Sequence, residues 1–268
     1  MKKLNLITSI VCAAMIIAFT SCSSGAGEKK TNYFGTKAPS KVKAVGDVVF
    51  IDGSSTPLSE INARTENDSE TGLKLTKVEQ DAAVALIFYK GTECSDEPNP
   101  EERTLGIGLK ISDERKWSEN GAQTGTLGIE MTSGWNGTEN VFYCNSSKNG
   151  KNNYSVLVEN LNDKSKAGMY TAFGFAQSYS SIYATNLLGD FTSGWYLPNC
   201  LELFKFSEYY DQNDISNVIP DFPDRCYFWS SSTDGDKSVT ILYFEKGDSG
   251  LAVSTRDDKN YVCAIREF

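Results

Sequence analysis

Short apolar runs closed by glycine-containing turns constrain the fold of this 268-residue chain more than any other feature. Residues 45–53, 82–91 and 105–110 are runs of this kind, and their shortness and glycines predict strands rather than helices. Residues 228–253 alternate around turn signals, which predicts an antiparallel meander that residues 261–265 close. Strands are therefore expected early and late in the chain.

Two helices are predicted between these groups of strands. Residues 162–179 shift in composition to Ala, Met, Phe and Tyr at helical spacing. Pro198 stands where a first helical turn tolerates proline, and a helix is expected to follow it to about Tyr210. Residues 112–153 are rich in Gly, Asn, Ser and Thr and predict long ordered loops. The fold class expected is α+β, with two helices and an antiparallel C-terminal sheet.

The chain contains no histidine, which removes several classes of enzyme. Nucleophiles activated by histidine, His-type zinc sites and imidazole proton shuttles all need that side chain. No carboxylate spacing singles out an acid and a nucleophile for glycoside hydrolysis. The net charge of -9 argues against binding to nucleic acid. We therefore expect a protein that is not an enzyme and has no nucleic-acid partner.

The first residues predict an export signal. Lys2 and Lys3 precede an apolar run that is shorter than the about 20 residues of a membrane-spanning helix, and small residues then lead to Cys22. The segment Phe19-Thr20-Ser21-Cys22 resembles the lipobox of bacterial lipoproteins. That resemblance implies removal of residues 1–21 and acylation of Cys22, with an ordinary signal peptide cut near Cys22 as the alternative. The membrane is thus an expected partner, and the cell envelope, at the outer membrane, the expected location.

The remaining chain divides into two parts of opposite charge. Residues 22–44 carry five lysines against Glu28, a net charge of +4, in a Ser/Gly/Ala/Thr-rich stretch that predicts a flexible tether. Residues 45–268 carry 19 basic and 34 acidic side chains, a net charge of -15. The basic tether suits anionic headgroups, whereas the acidic domain disfavours anionic ligands unless a local basic patch overrides its field.

Three segments carry a resemblance to a known domain family. They are Trp195-Tyr196-Leu197-Pro198, Tyr227-Phe228-Trp229-Ser230-Ser231-Ser232 and Tyr261-Val262-Cys263-Ala264-Ile265-Arg266. Together they resemble the bacterial family named for the C-terminal domain of the Legionella collagen-like protein, as it occurs in treponeme-type lipoproteins. The resemblance implies a C-type-lectin-like fold over residues 45–268. It also implies structural roles for Trp195, Pro198 and Trp229, which agrees with large apolar groups acting as core residues.

The candidate ligand-binding residues lie at the ends of the late strands. The serines after Trp229 are expected to satisfy turn backbone groups through their hydroxyls, with ligand contact as the alternative. The Asp-Gly-Asp turn after them lies nearer the expected ligand-binding surface. The candidate set is Ser231, Ser232, Asp234, Asp236, Lys237 and Arg256.

No metal or cofactor is expected. The triplet Glu97-Pro98-Asn99 matches the one by which sugar-binding C-type lectins hold calcium, but it lies over a hundred residues before Trp229 rather than just before the final strands. Asp234 and Asp236 supply fewer oxygens than the 6 to 8 that calcium takes. No motif around Cys226 and Cys263 specifies the copper site of the formylglycine-generating branch.

Five cysteines remain once Cys12 is discarded with the signal and Cys22 is lipidated. Cys94 and Cys144 form the candidate disulfide, since both lie in polar loop-rich stretches. Cys200 and Cys263 are expected to be small buried hydrophobic residues. The odd number leaves at least one thiol unpaired if the others pair, and the sequence does not assign the pairing among Cys94, Cys144, Cys200, Cys226 and Cys263.

The leading hypothesis is a membrane-anchored lipoprotein whose domain binds a protein or glycan ligand noncovalently, as an adhesin. Its anchor, its tether, the family resemblance and the missing histidine all favour this function. The alternatives are a display scaffold of the variable-protein type and, least favoured, an exported enzyme of the formylglycine-generating branch.

Overall fold

Ten strands form three antiparallel sheets in the part of the chain that the computed structural model describes, residues 33–96, 98–135, 140–143 and 149–268. In chain order the strands are β1 (Asp47–Phe50), β2 (Ser55–Pro57), β3 (Ala83–Gly91), β4 (Arg103–Gly108), β5 (Thr132–Trp135), β6 (Asn140–Tyr143), β7 (Arg225–Thr233), β8 (Ser238–Glu245), β9 (Gly250–Thr255) and β10 (Ile265–Glu267). One sheet has the order β10-β4-β3-β1-β2, β5 pairs with β6, and β7-β8-β9 form the third sheet. The three early strands predicted from apolar runs are confirmed as β1, β3 and β4.

The late meander is confirmed over β7, β8 and β9, but its predicted last strand is wrong. Ile265 begins β10, which pairs with β4 in the five-stranded sheet instead of with β9. Tyr261 forms only an isolated parallel bridge with Phe228. Residues 262–264, between them, are fully buried, so this segment has no face in solvent. The last strand therefore ties the end of the chain to β4.

Five α-helices occur among the described residues, so the α+β class is confirmed and the prediction of two helices was too low. They are α1 (Leu58–Asn62), α2 (Lys77–Ala82), α3 (Asn153–Asn160), α4 (Thr171–Gln177) and α5 (Cys200–Gln212). Helices α1, α2 and α3 are too short to show a periodic apolar pattern, which needs a window of about 11 residues or more. The helix predicted over residues 162–179 is α4 alone, with a 3-10 turn before it and a π turn after it.

Helix α5 begins one residue later than the proline rule predicted. Asn199 is the N-cap: its side chain accepts a hydrogen bond from the Glu202 N–H, while the Glu202 carboxylate accepts one from the Asn199 N–H. This capping box satisfies two backbone donors that the first turn leaves unpaired. Pro198 therefore precedes the cap, and its carbonyl accepts a hydrogen bond from the Ser231 N–H at 2.8 Å. The proline connects the start of α5 to β7.

Two hydrophobic clusters form the core, and tryptophans occupy the second of them. The first cluster joins the five-stranded sheet to α5 and to the inner face of the meander, through residues such as Phe206 and Phe244. The second contains Trp117, Trp195 and Trp229, with Trp195 7% exposed and the other two fully buried. Each of these large aromatic side chains removes a large apolar area from water in the second cluster.

Part of the predicted tether belongs to the folded domain. The compact unit begins at Tyr33, so residues 33–44 were wrongly assigned to the flexible tether 22–44, and residues 1–32 lie outside the described part. Lys37 pairs with β2 through an isolated bridge to Ser55, and its ammonium group lies 2.6 Å from the buried Asp47 carboxylate. Gly35 lies so close to Ser55 that a Cβ there would come within 2.5 Å of its backbone. Lys37, which was assigned to the flexible tether, thus neutralises the buried Asp47 carboxylate.

Candidate ligand-binding cleft

The two serines in the candidate set are core residues and do not reach the surface. Ser231 is fully buried, and its Oγ accepts a hydrogen bond from the Asn153 side chain at 2.8 Å. Ser232 is 1% exposed, and its Oγ accepts one from the backbone N–H of Cys200 at 3.3 Å. They connect β7 to the first turns of α3 and α5. Assigning Ser231 and Ser232 to a ligand site was therefore wrong, because β7 continues to Thr233 instead of ending at a surface loop.

The Asp-Gly-Asp sequence forms the exposed turn between β7 and β8. The Asp234 N–H donates to the Ser238 carbonyl at 3.0 Å, and the Asp236 carbonyl accepts from the Gly125 N–H at 3.4 Å. Neither carboxylate belongs to a cluster of metal ligands, because no group of three or more Cys, Asp or Glu side chains able to hold a metal ion occurs among the described residues. Asp234 and Asp236 therefore shape the turn that leads to Lys237.

A cleft of about 420 Å³ lies beside this turn. Two elements form its walls: the loop of residues 118–124, and the end of β9 with the turn that follows it. The Arg256 N–H donates to the Lys237 carbonyl at 3.3 Å, and the Trp117 N–H donates to the Arg256 carbonyl at 3.2 Å, so backbone hydrogen bonds fix both walls. The lining residues are Ser118, Glu119, Asn120, Gly121, Ala122, Thr124, Lys237, Thr255, Arg256 and Asp257.

Arg256 is the most unusual group of the cleft because it is a buried cation that forms no ion pair with a carboxylate among the described residues. It is 6% exposed, and its guanidinium carbon lies 5.0 Å above the centre of the Trp117 ring. One nitrogen, Nη1, donates to the Gln123 carbonyl at 2.8 Å, while Nε and Nη2 have no hydrogen-bond partner in the described part of the chain. Burial lowers the pKa of Arg256 from its ordinary value, and Tyr170 and Asp236 only partly offset this. Arginine nevertheless stays protonated at neutral pH.

The charged side chains of the lining balance formally, since Lys237 and Arg256 stand against Glu119 and Asp257. Lys237 is exposed and forms no ion pair among the described residues. Asp257 lies 3.4 Å from Lys116, which offsets its charge, and Glu119 is exposed on the opposite wall. The hydroxyl and amide groups of the lining add hydrogen-bond donors. Arg256 and Lys237 together therefore offer a place for a small group with a negative charge, within a domain that is acidic as a whole.

The cysteines correct the predicted disulfide. Cys94, Cys226 and Cys263 are free and buried, so the pairing of Cys94 with Cys144 was wrong, and Cys144 itself lies outside the described residues. Cys200 is disulfide-bonded rather than a free buried thiol. Burial raises the pKa of the Cys226 thiol to about 12 and raises the pKa of Cys94 and of Cys263 as well. These three thiols stay protonated at neutral pH, which makes them poor nucleophiles.

The sequence predicted candidate residues on one wall of the cleft and none on the other. Lys237 and Arg256 were in the candidate set, and the structure brings them together. The loop of residues 118–124 was predicted only as part of a long ordered region. Trp117, an aromatic residue in a polar stretch, was the signal available there, but its contact with Arg256 joins residues too far apart in sequence for any local pattern to reveal.

The domain is a mixed α+β protein, and comparisons with known proteins add one likeness in fold. No family model matches the chain, and no curated protein matches it. Among solved structures it is similar to a fimbrial protein from Bacteroides ovatus, with a TM-score of 0.57 and 16% sequence identity. The match covers 84% of this chain and 49% of that protein, so the chain spans about half its length. In the described residues no helix is long and apolar enough to cross a membrane.

Proposed function

We propose that this protein is a lipid-anchored protein of the bacterial cell envelope whose domain binds a ligand noncovalently, as an adhesin. The export signal and Cys22 support the anchor, and the cleft that contains Arg256 and Lys237 supports the binding site. The fold likeness to a fimbrial protein agrees with a role at the cell surface. The anchor would hold the domain at the outer membrane while the cleft contacts its ligand.

The proposed fold family is the C-type-lectin-like one. Two features support this assignment: helices α3 to α5 precede the meander β7-β8-β9, and β10 then returns to pair with β4. The segments that carried the resemblance are also the ones that connect these elements. Trp229 lies in β7, Pro198 precedes α5, and Ile265 begins β10.

The observation that carries the ligand proposal is the unpaired Arg256 beside Lys237. A buried cation without a counter-ion is costly, and an anionic ligand group would remove part of that cost. Ser118, Asn120, Thr124 and Thr255 supply polar groups of the kind that pair with sugar hydroxyls. We therefore propose an acidic glycan as the ligand, bound by a carboxylate or sulfate group at the cleft.

Reversing the charge of Lys237 tests this proposal. The full chain, applied to an array of sialylated, uronate-containing, sulfated and neutral glycans and to immobilised matrix proteins, is expected to bind acidic glycans. Lys237→Glu is expected to lower that signal about tenfold, because it places a like charge at the site. Lys164→Glu is the matched control, since Lys164 is exposed, forms no ion pair in the described structure and lies outside the cleft. Binding to no glycan, or equal loss in both variants, would overturn the proposal.

Replacing Cys22 tests the anchor separately. Cells that express Cys22→Ala and are fed labelled palmitate are expected to yield the protein without label, because no acyl acceptor remains at the cleavage site. Cys12→Ala, within the apolar run of the signal, is the control and is expected to keep the label. Label retained by Cys22→Ala would exclude lipidation there and leave the ordinary signal peptide as the explanation.

A further inference from the structure

A second cavity of about 420 Å³ shares no lining residue with the cleft. It lies where the segment 73–84, the segment 109–113 after β4, and the segments 184–187 and 217–221 meet. The Lys74 N–H donates to the Asn217 side chain at 3.1 Å, which joins two of these segments over the opening. This volume falls within the range of about 300–1,000 Å³ that small-molecule sites occupy.

The walls of this cavity combine apolar and polar side chains. Leucine, isoleucine, valine and alanine side chains from all four segments line it, and several of them are buried members of the two core clusters. Leu75, Val84, Leu187 and Ile219 are each at most 4% exposed, so the cavity is set into the core instead of lying on the surface. An apolar body of a ligand would therefore be removed from water on binding.

A buried tyrosine hydroxyl is among the polar groups of this lining. Tyr179 lines the cavity and is 1% exposed, and its hydroxyl oxygen accepts a hydrogen bond from the Lys110 N–H at 2.9 Å. Across the described residues no acceptor receives the hydroxyl hydrogen. The ring lies directly over Gly108, where any Cβ would meet it, so the side chain is fixed in place. Tyr179 can thus donate to an acceptor on a bound molecule.

The rim of the cavity carries unpaired carboxylates. Asp113 and Asp221 are exposed lining residues, and neither forms an ion pair or a side-chain hydrogen bond in the described structure. Lys110 is the one basic side chain among the lining residues, so acids outnumber bases at the opening. A ligand with an apolar body and a positively charged group would place the body against the buried apolar side chains and the charge at the acidic rim.

We propose that this cavity binds a compact organic amine, with its apolar or aromatic part against Leu75, Leu187 and Ile219 and its ammonium group at Asp113 and Asp221. This site is independent of the acidic-glycan cleft, with which it shares no lining residue. A molecule of this class that also carries a carbonyl or hydroxyl oxygen gains the hydrogen bond from Tyr179.

Matched small probes test the proposal on the full chain. Phenethylamine, tyramine and 3-phenylpropanoate have similar bodies but differ in charge, and their binding is measured from the methyl NMR signals of Leu75, Leu187 and Ile219. The two amines are expected to shift these signals, and 3-phenylpropanoate is not. Asp113→Asn combined with Asp221→Asn is expected to weaken amine binding about threefold or more, as the loss of two partly exposed charge contacts requires. Raised salt is expected to weaken it as well.

A control variant distinguishes a specific loss of amine binding from a general effect of the substitutions on folding. Glu159→Gln removes an exposed acid on α3, outside the cavity, and is expected to leave amine binding unchanged. Both rim aspartates are exposed and unpartnered among the described residues, so their replacement is not expected to unfold the domain. Absence of amine binding at about 10 mM, equal binding of the carboxylate probe, or unchanged affinity in the double variant would overturn the proposal.

Discussion

Replacing Glu202 by leucine is expected to lower the free energy of unfolding by about 3–5 kcal/mol, because it removes the buried partner of Arg103 and leaves that charge only the partly exposed Glu267 carboxylate, 3.6 Å from its Nε. The two side chains are 3% and 0% exposed, and Arg103 Nη1 lies 2.9 Å from Glu202 Oε1. The same carboxylate oxygen accepts a hydrogen bond from the Tyr196 hydroxyl at 2.9 Å, and Arg103 donates to that hydroxyl at 2.7 Å. The variant also removes one half of the capping box that starts α5.

A double-mutant cycle separates the pair from its surroundings. Arg103→Met together with Glu202→Leu is expected to cost less than the sum of the single variants, because no unpaired charge remains. Urea denaturation measures the change in the free energy of unfolding for the two single variants and for the double variant. Lys90→Met is the control: Lys90 and Glu102 form a partly exposed pair at 3.2 Å, and its loss is expected to cost less than about 1 kcal/mol. If Glu202→Leu costs no more than Lys90→Met, the network does not stabilise the fold as argued.

This network combines a contact that a local sequence pattern indicates with contacts between residues far apart in the sequence. Asn199 and Glu202 stand three residues apart, and their capping box follows a local rule. Arg103 lies 99 residues from Glu202, and nothing near either residue marks the other as its partner. Tyr196, which was quoted for the family resemblance, is the third member. The local half of the network was open to sequence reasoning, and the long-range half was not.

The same division explains the strands. Meander β7-β8-β9 was predictable because short turns join strands that alternate with a period of two. The pairing of β10 with β4 was not, since a strand of three residues has too short a pattern to indicate which sheet it joins. The prediction that Ser231 and Ser232 contact a ligand was wrong for a related reason. Small polar residues at a strand end resemble a turn, but helices α3 and α5 pack over these two and satisfy their hydroxyls.

Trp117→Ala is expected to cost about 3–5 kcal/mol, the range for removing a fully buried large aromatic side chain. The ring packs edge-on against Tyr170 at 5.4 Å and Phe173 at 5.6 Å between centroids. Its Nε1 donates to the Ser230 carbonyl at 2.9 Å, which would lose a buried partner. Urea denaturation is the measurement, and Tyr227→Ala, at a side chain 45% exposed, is the control expected to cost far less. Similar losses in both variants would contradict the assignment of Trp117 to the core.

Trp117 also links stability to the proposed binding site, because Arg256 lies over its ring. Trp117→Phe keeps an aromatic face but loses the Nε1 donor, so it is expected to stay folded at a smaller cost than the alanine variant. If the ring positions Arg256, Trp117→Phe retains more of the acidic-glycan signal than Trp117→Leu, which has no aromatic face. Equal binding by these two variants would mean that the backbone hydrogen bonds of the cleft, rather than the ring, hold the guanidinium in place.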